Sequence, residues 1–169
     1  LWAGIRQARR DALAFALLAL HIARARGELD AAEERARVAD LRALPDAIHR
    51  VLDRKDHIRA IAERHHAVPS SLYLGRRFNH PIALEGALKN KEISYQHAEG
   101  FAAGEMKHGP IALIHEYLPV VCLCTQTEDE VHDKMRCNMK EVQARRGRII
   151  AVATEGDAAA RDLAEDLIE

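Results

Sequence analysis

Along the first third of the chain the apolar positions recur at helical spacing. Leu13, Leu17, Leu18, Leu20 and Ile22 are packed too densely for a single stripe. With Asp11 placed to cap and Gly27 to stop, they predict a helix buried on most sides. From 30 to about 53 the pattern becomes amphipathic, with Val38, Leu41, Leu44, Ile48, Val51 and Leu52 inward and Glu33, Glu34, Arg35, Arg37 and Arg42 outward. Pro45 predicts a kink or a restart there. The mixed charges at 54–57 open a further short helix through Ile58, Ile61 and Ala62 with a solvated polar face.

At Ser70 the period changes. Residues 71–75 form a short apolar run ending in Gly75, which predicts a strand and a sharp turn, and a second domain is expected to begin here, dividing the chain into 1–69 and 70–169. Pro81 suits the first turn of a helix over 81–96, with Asn79 or His80 as its cap. Residues 119–125 read as a buried parallel strand, 128–146 as the helix after it closed by Gly147, and 148–154 as a third strand. The stretch 158–169 reads as a helix with nothing to close it, while 97–100 read as loop. Alternating strands and helices predict an α/β fold, a three-layer doubly wound parallel sheet preceded by an α-helical segment. Such sheets carry their ligands at the carboxyl ends of the strands.

Composition narrows the function classes. Among 169 residues, Lys plus Arg is 25 against 26 for Asp plus Glu, a formal charge of −1. That balance gives no electrostatic reason to expect nucleic acid as a partner. The longest apolar run, 12–20, falls short of the ~20 residues a membrane span needs, so no membrane partner is expected either. Cys122, Cys124 and Cys137 show neither a disulfide framework nor Cys-based zinc spacing, which fits a reducing, cytoplasmic location. Cys122 and Cys124 are expected to fill core volume. The first residue is not Met and the last helix lacks a stop signal, so a fragment is expected at both ends.

Two constellations offer chemistry. Glu85, Lys89 and Glu92 stand at i, i+4 and i+7 and share one helical face, two carboxylates flanking one ammonium. Their neighbours are apolar or small, so this face is expected to line a cleft; the plainer reading is a surface ion network. His108 lies between a charged turn and the Gly109-Pro110 break, an element boundary of the kind where sites are built. His97 to Gly100 is a candidate support. The remaining histidines show no metal-ligand spacing and read as solvated or packing residues, and no dinucleotide or phosphate loop motif is present, so neither metal nor cofactor is expected.

The motifs ALEGALKNKEISYQHAEG and GEMKHGPIALI closely resemble the sugar isomerase (SIS) domains of the glutamine–fructose-6-phosphate aminotransferase family, the glucosamine-6-phosphate synthases. Weaker likeness runs through LALHIARARG and LRALPDAIHRVL upstream and KMRCNMKEVQARRGRIIAVATEGD downstream. The resemblance implies addition of glutamine-derived ammonia to fructose 6-phosphate and isomerisation to glucosamine 6-phosphate, without a cofactor. Under it, Glu92 is the acid/base moving a proton between C1 and C2 of the sugar. Lys89 and Glu85 are polar site residues beside it. His108 assists ring opening, reaching the site of the neighbouring subunit of a homodimer. Residues 1–69 match the helical end of a first SIS subdomain and 70–169 most of a second.

The family's serine- and threonine-rich phosphate loop would precede Leu1, and its glutaminase domain and lysine-bearing tail would lie outside the chain, so the fragment alone is expected to show little or no synthase activity. Arg6 stands where the family usually has Lys, at the end of an Ala-Ser-Thr-Lys pattern, Arg77 where it has Gly, Asn90 where it has Leu and His115 where it has Asp. Two alternatives stay open: another SIS phosphosugar isomerase or deglycase, and a non-catalytic SIS module that binds a sugar phosphate.

Overall fold

The computed structural model describes residues 2–126 and 130–169, with side chains from Arg10 onward. It divides into two compact units, residues 1–59 and 60–169. The sequence change at 70 marks the first strand; the division by compactness falls earlier, within a helix.

The first unit contains α1 (Trp2–Ala25) and α2 (Ala31–Asp53). Asp11 does not cap α1, because helix-favouring residues carry it back to Trp2. Nor is α1 buried on most sides: Leu13, Phe15, Leu17, Leu18 and Ile22 are all exposed, since two helices cannot cover so broad an apolar surface. The start of α2 is fixed by a capping box. The Asp30 carboxylate accepts from the backbone of Ala32 and Glu33, and Glu33 accepts in return from the Asp30 N–H at 2.9 Å. The helix continues through Pro45 without a restart, giving up the one hydrogen bond proline cannot donate. The Arg6 side chain lies outside the described residues.

Helix α3 (Lys55–His65) leads into the second unit, where five parallel strands lie in the order β2-β1-β3-β4-β5. They are β1 (Ser70–Gly75), β2 (His97–Ala102), β3 (Pro119–Cys124), β4 (Arg148–Ala153) and β5 (Asp166–Ile168). Helix α4 (Asn79–Ser94) connects β1 to β2, and α5 (Val131–Ala144) connects β3 to β4. Strand order turns back between β1 and β3. With right-handed crossovers, that reversal puts α4 and α5 on opposite faces, the three-layer arrangement expected. The expected start of the second helix at 128 lies outside the described residues.

Three expectations give way. Residues 97–100 are not loop but the start of β2, an edge strand paired to β1 from Ser70↔His97 to Gly75↔Ala102. The terminal stretch is not one helix: α6 (Ala158–Arg161) is a single turn, and β5 pairs with β4 from Ile150↔Asp166 to Val152↔Ile168. A buried carboxylate decides this, because Asp166 meets His65 at 2.7 Å and the Arg64 guanidinium, overriding the helical preference of an Ala-rich segment. Finally, neither Asn79 nor His80 caps α4; Phe78 occupies that position without a side-chain bond, and the Asn79 amide donates instead to Thr125 Oγ1 at 2.8 Å.

One face of the sheet buries Leu72, Leu74, Val120, Cys122, Cys124 and Ile149 against Met106, Met135, Met139 and Val142. Each such side chain contributes about 1.5–3 kcal/mol by leaving water. On the other face α4 lies close, through Ala83 and Ala87, both buried. Gly100 of β2 permits this approach: a Cβ there would sit 2.9 Å from Leu84 Cα.

Candidate functional site

Helix α4 presents Glu85, Lys89 and Glu92 along one row, as the i, i+4, i+7 spacing requires. Lys89 Nζ lies 2.8 Å from Glu92 Oε2 and 3.5 Å from Glu85 Oε1. The hydrogen bond from Lys89 to Glu92 raises the lysine pKa; partial burial opposes this, and the charges of both carboxylates reinforce it. The ammonium therefore stays protonated at any physiological pH. The lysine is 22% exposed and Glu92 45%. In the single chain this row stands at the surface rather than in a cleft.

Around it, Ile82, Leu84, Leu88 and Ile93 are exposed, as are Phe78 and Tyr95 beyond the two ends of α4. The end of the helix that carries Glu92 is tied to the sheet by Asn90, whose amide donates to Ser71 Oγ at 3.1 Å, and the helix ends at Tyr95 in a left-handed conformation at φ 60°. Gly86 lets the same helix rest on the ring of Tyr73.

His108 is exposed and closes the 3-10 turn Ala103–His108. Gly109 follows at φ 155°, ψ −62°, a combination that side chains disfavour, and Pro110 begins the next turn. The structure does not bring His108 to the acidic row of the same chain. Helix α4 runs from the carboxyl edge of the sheet, after Gly75, to the amino edge, where β2 begins at His97. Glu92 is in its last turn. Strand β2 then returns to the carboxyl edge before the turn bearing His108. That six-residue strand, roughly 20 Å long, lies between the end of the helix and the turn.

The carboxyl edge holds polar groups outside the two constellations. Between the ends of β1 and β3, where the strand order reverses, a cavity of about 340 Å³ is lined by Arg76, Arg77, Glu130, Val131 and Lys134. Arg76 reaches from it to Asn138 Oδ1 at 2.7 Å. Arg77 takes up φ 47°, a conformation glycine adopts without strain, and stacks over Phe78 at 5.8 Å. The position of 76 and 77 directly after a predicted strand was the available signal.

The sequence model of the SIS domain family matches residues 54–167. The chain belongs to the SIS domain family. Among its relatives, the glutamine–fructose-6-phosphate aminotransferase (isomerizing) of Thermus thermophilus is 48% identical over 156 residues, 92% of this SIS chain and 26% of the relative. The enzyme of the same name from Leifsonia xyli subsp. xyli is 50% identical over 154 residues, 90% of the chain and 25% of the relative. This SIS chain thus spans about a quarter of the length of these relatives. Among solved structures, the C-terminal domain of glucosamine-fructose-6-phosphate aminotransferase from Francisella tularensis superposes with a TM-score of 0.81 at 33% identity, covering 91% of this chain and 43% of that one. The α/β fold and the five-stranded parallel sheet agree with that neighbour. Among the described residues no helix is long and apolar enough to cross a membrane.

Proposed function

We propose that this chain is part of the isomerase half of a glutamine–fructose-6-phosphate aminotransferase, forming glucosamine 6-phosphate from fructose 6-phosphate and glutamine-derived ammonia. Glu92 is the acid/base that carries a proton between C1 and C2 of the sugar. Lys89, a permanent cation beside it, stabilises the oxyanion that develops as the proton leaves, and Glu85 orients Lys89. His108 assists ring opening at the site of a second protomer.

The observation that carries the reading is the placement of these groups at opposite ends of one sheet. Glu92 and His108 do not meet within this protomer, yet both are exposed and available to a neighbour. The apolar side chains flanking the acidic row, Ile82, Leu84, Leu88 and Ile93, support a homodimer that covers them. The same reading takes residues 1–69 as the helical end of a first SIS subdomain and 70–169 as most of a second, expects a glutaminase domain as functional partner, and assigns the protein to the cytoplasm, in keeping with three unpaired thiols.

A chimera tests it: the matching 156-residue span of the Thermus thermophilus relative is replaced by this chain and glucosamine 6-phosphate formation is measured. The chimera is expected to turn over, and Glu92→Gln to cut the rate by about 100-fold or more while fructose 6-phosphate still binds. An unchanged rate in that variant would remove Glu92 from the mechanism.

A further inference from the structure

At the carboxyl edge of β3 and β4, away from the acidic row, three different ligand types converge. Cys124 is the last residue of β3, His132 lies in the first turn of α5, and Asp157 is the N-cap of α6. One donor atom from each lies within 4.8 Å of the other two. Cys124 and Asp157 are each 1% exposed. We propose that Cys124, His132 and Asp157 form a binding site for a divalent transition-metal ion of the zinc class.

The donor set suits such an ion, which takes thiolate sulfur, imidazole nitrogen and carboxylate oxygen in a tetrahedron with bonds of about 2.0–2.3 Å. Those bond lengths put donors roughly 3.2–3.8 Å apart. His132 Nε2 and Asp157 Oδ2 are now 2.6 Å apart. Binding the ion requires that pair to open and the sulfur to be drawn in from within 4.8 Å. The second carboxylate oxygen is already held, accepting from the Ala160 N–H at 2.9 Å, which leaves Oδ2 for the metal.

Charge closes as well. The Cys124 thiol is buried beside the Asp157 carboxylate. Binding breaks the S–H bond, forms an S–metal bond and releases the proton to solvent, with no change in oxidation state. Thiolate and carboxylate then balance the dication, and no net charge is buried. Arg136, the cation facing this site, is paired with Asp133 at 3.0 Å. Its Nε–H is buried without a partner among the described residues, a donor suited to a water or anion on the fourth coordination position.

A second cluster, His65, Glu165 and Asp166, is a weaker candidate. Arginines already engage both of its carboxylates, Arg64 on Asp166 and Arg148 on Glu165 at 3.3 Å.

Cobalt titration of the purified 169-residue chain tests the site. The expected result is a thiolate-to-cobalt charge-transfer band saturating at one equivalent and bleached by one equivalent of zinc, retained in Cys137→Ser and lost in Cys124→Ser. His132→Gln, which changes a helix residue outside the buried sheet core, is expected to lose the band too and guards against misfolding of the cysteine variant. Absence of the band in the parent chain, or its survival in either Cys124→Ser or His132→Gln, overturns the proposal.

Discussion

Asp166 gives the sharpest prediction about the fold. Its carboxylate is 7% exposed and lies between His65 Nε2, at 2.7 Å, and the Arg64 guanidinium, joining the last strand to the end of α3. Burial alone would raise its pKa, but the hydrogen bonds and charges of Arg64 and His65 outweigh that and hold it below the usual 3.8. Asp166→Asn keeps the shape and removes the charge. A charge-assisted bond to the buried His65 is worth about 1.5–3 kcal/mol, of which a neutral amide recovers about 1. The Arg64 pair, on a half-exposed guanidinium, adds about 1 kcal/mol or less after solvent screening. The expected loss is therefore about 0.5–3 kcal/mol at pH 7, read by urea unfolding. Far-ultraviolet circular dichroism is the better probe, because the only tryptophan, Trp2, belongs to the first unit.

The sign of the pH dependence follows from the lowered pKa. The carboxylate contributes in full above its unfolded value of 3.8 and loses its contribution as pH falls through the lower folded value. The gap between parent and variant should hold above about pH 4 and close in more acidic solution. A variant within about 0.5 kcal/mol of the parent at pH 7, or a gap that widens in acid, would refute the reasoning.

Further outcomes are equally specific. Gly100→Ala should destabilise by about 1–3 kcal/mol in the same assay, because the new methyl meets the Leu84 backbone, which cannot rotate away. Cys122 is pushed well above its usual pKa by burial and by Cys124, and Cys124 is held at about 11, so a disulfide reagent at pH 8 should label Cys137 alone in the folded chain and all three thiols after denaturation. Lys89→Met in the chimera should lower turnover by about 100-fold with little effect on urea midpoint, since the lysine's pairs are largely solvent-exposed.

The central strands were legible because parallel strands covered on both faces read as continuous apolar runs, as β1, β3 and β4 do. The two edge strands were not. β2 is half-exposed and carries His97, Glu99 and Gly100, and β5 is three residues long in a segment of good helix formers. Only Arg64 and His65, about a hundred positions away, make residue 166 a strand residue. The apolar crowding on α1 was read as burial on most sides, which the exposure of Leu13, Phe15, Leu17 and Leu18 contradicts, because a pattern cannot say whether a covering surface is present. The Glu85, Lys89 and Glu92 row followed from helical periodicity alone. The converging Cys124, His132 and Asp157 did not, since three elements contribute one ligand each and no local spacing records them.

In the proposed dimer the acidic row of one protomer works with His108 of another. Mixed dimers test it directly. The Glu92→Gln and His108→Ala chimeras, each inactive alone, are unfolded together, refolded at equal concentrations and assayed for glucosamine 6-phosphate. If the site is shared, half of the dimers are mixed and each carries one intact site, so about a quarter of the parent activity should return. Mixed dimers as inactive as the two variants would show that both groups are needed from the same chain, and would contradict the account.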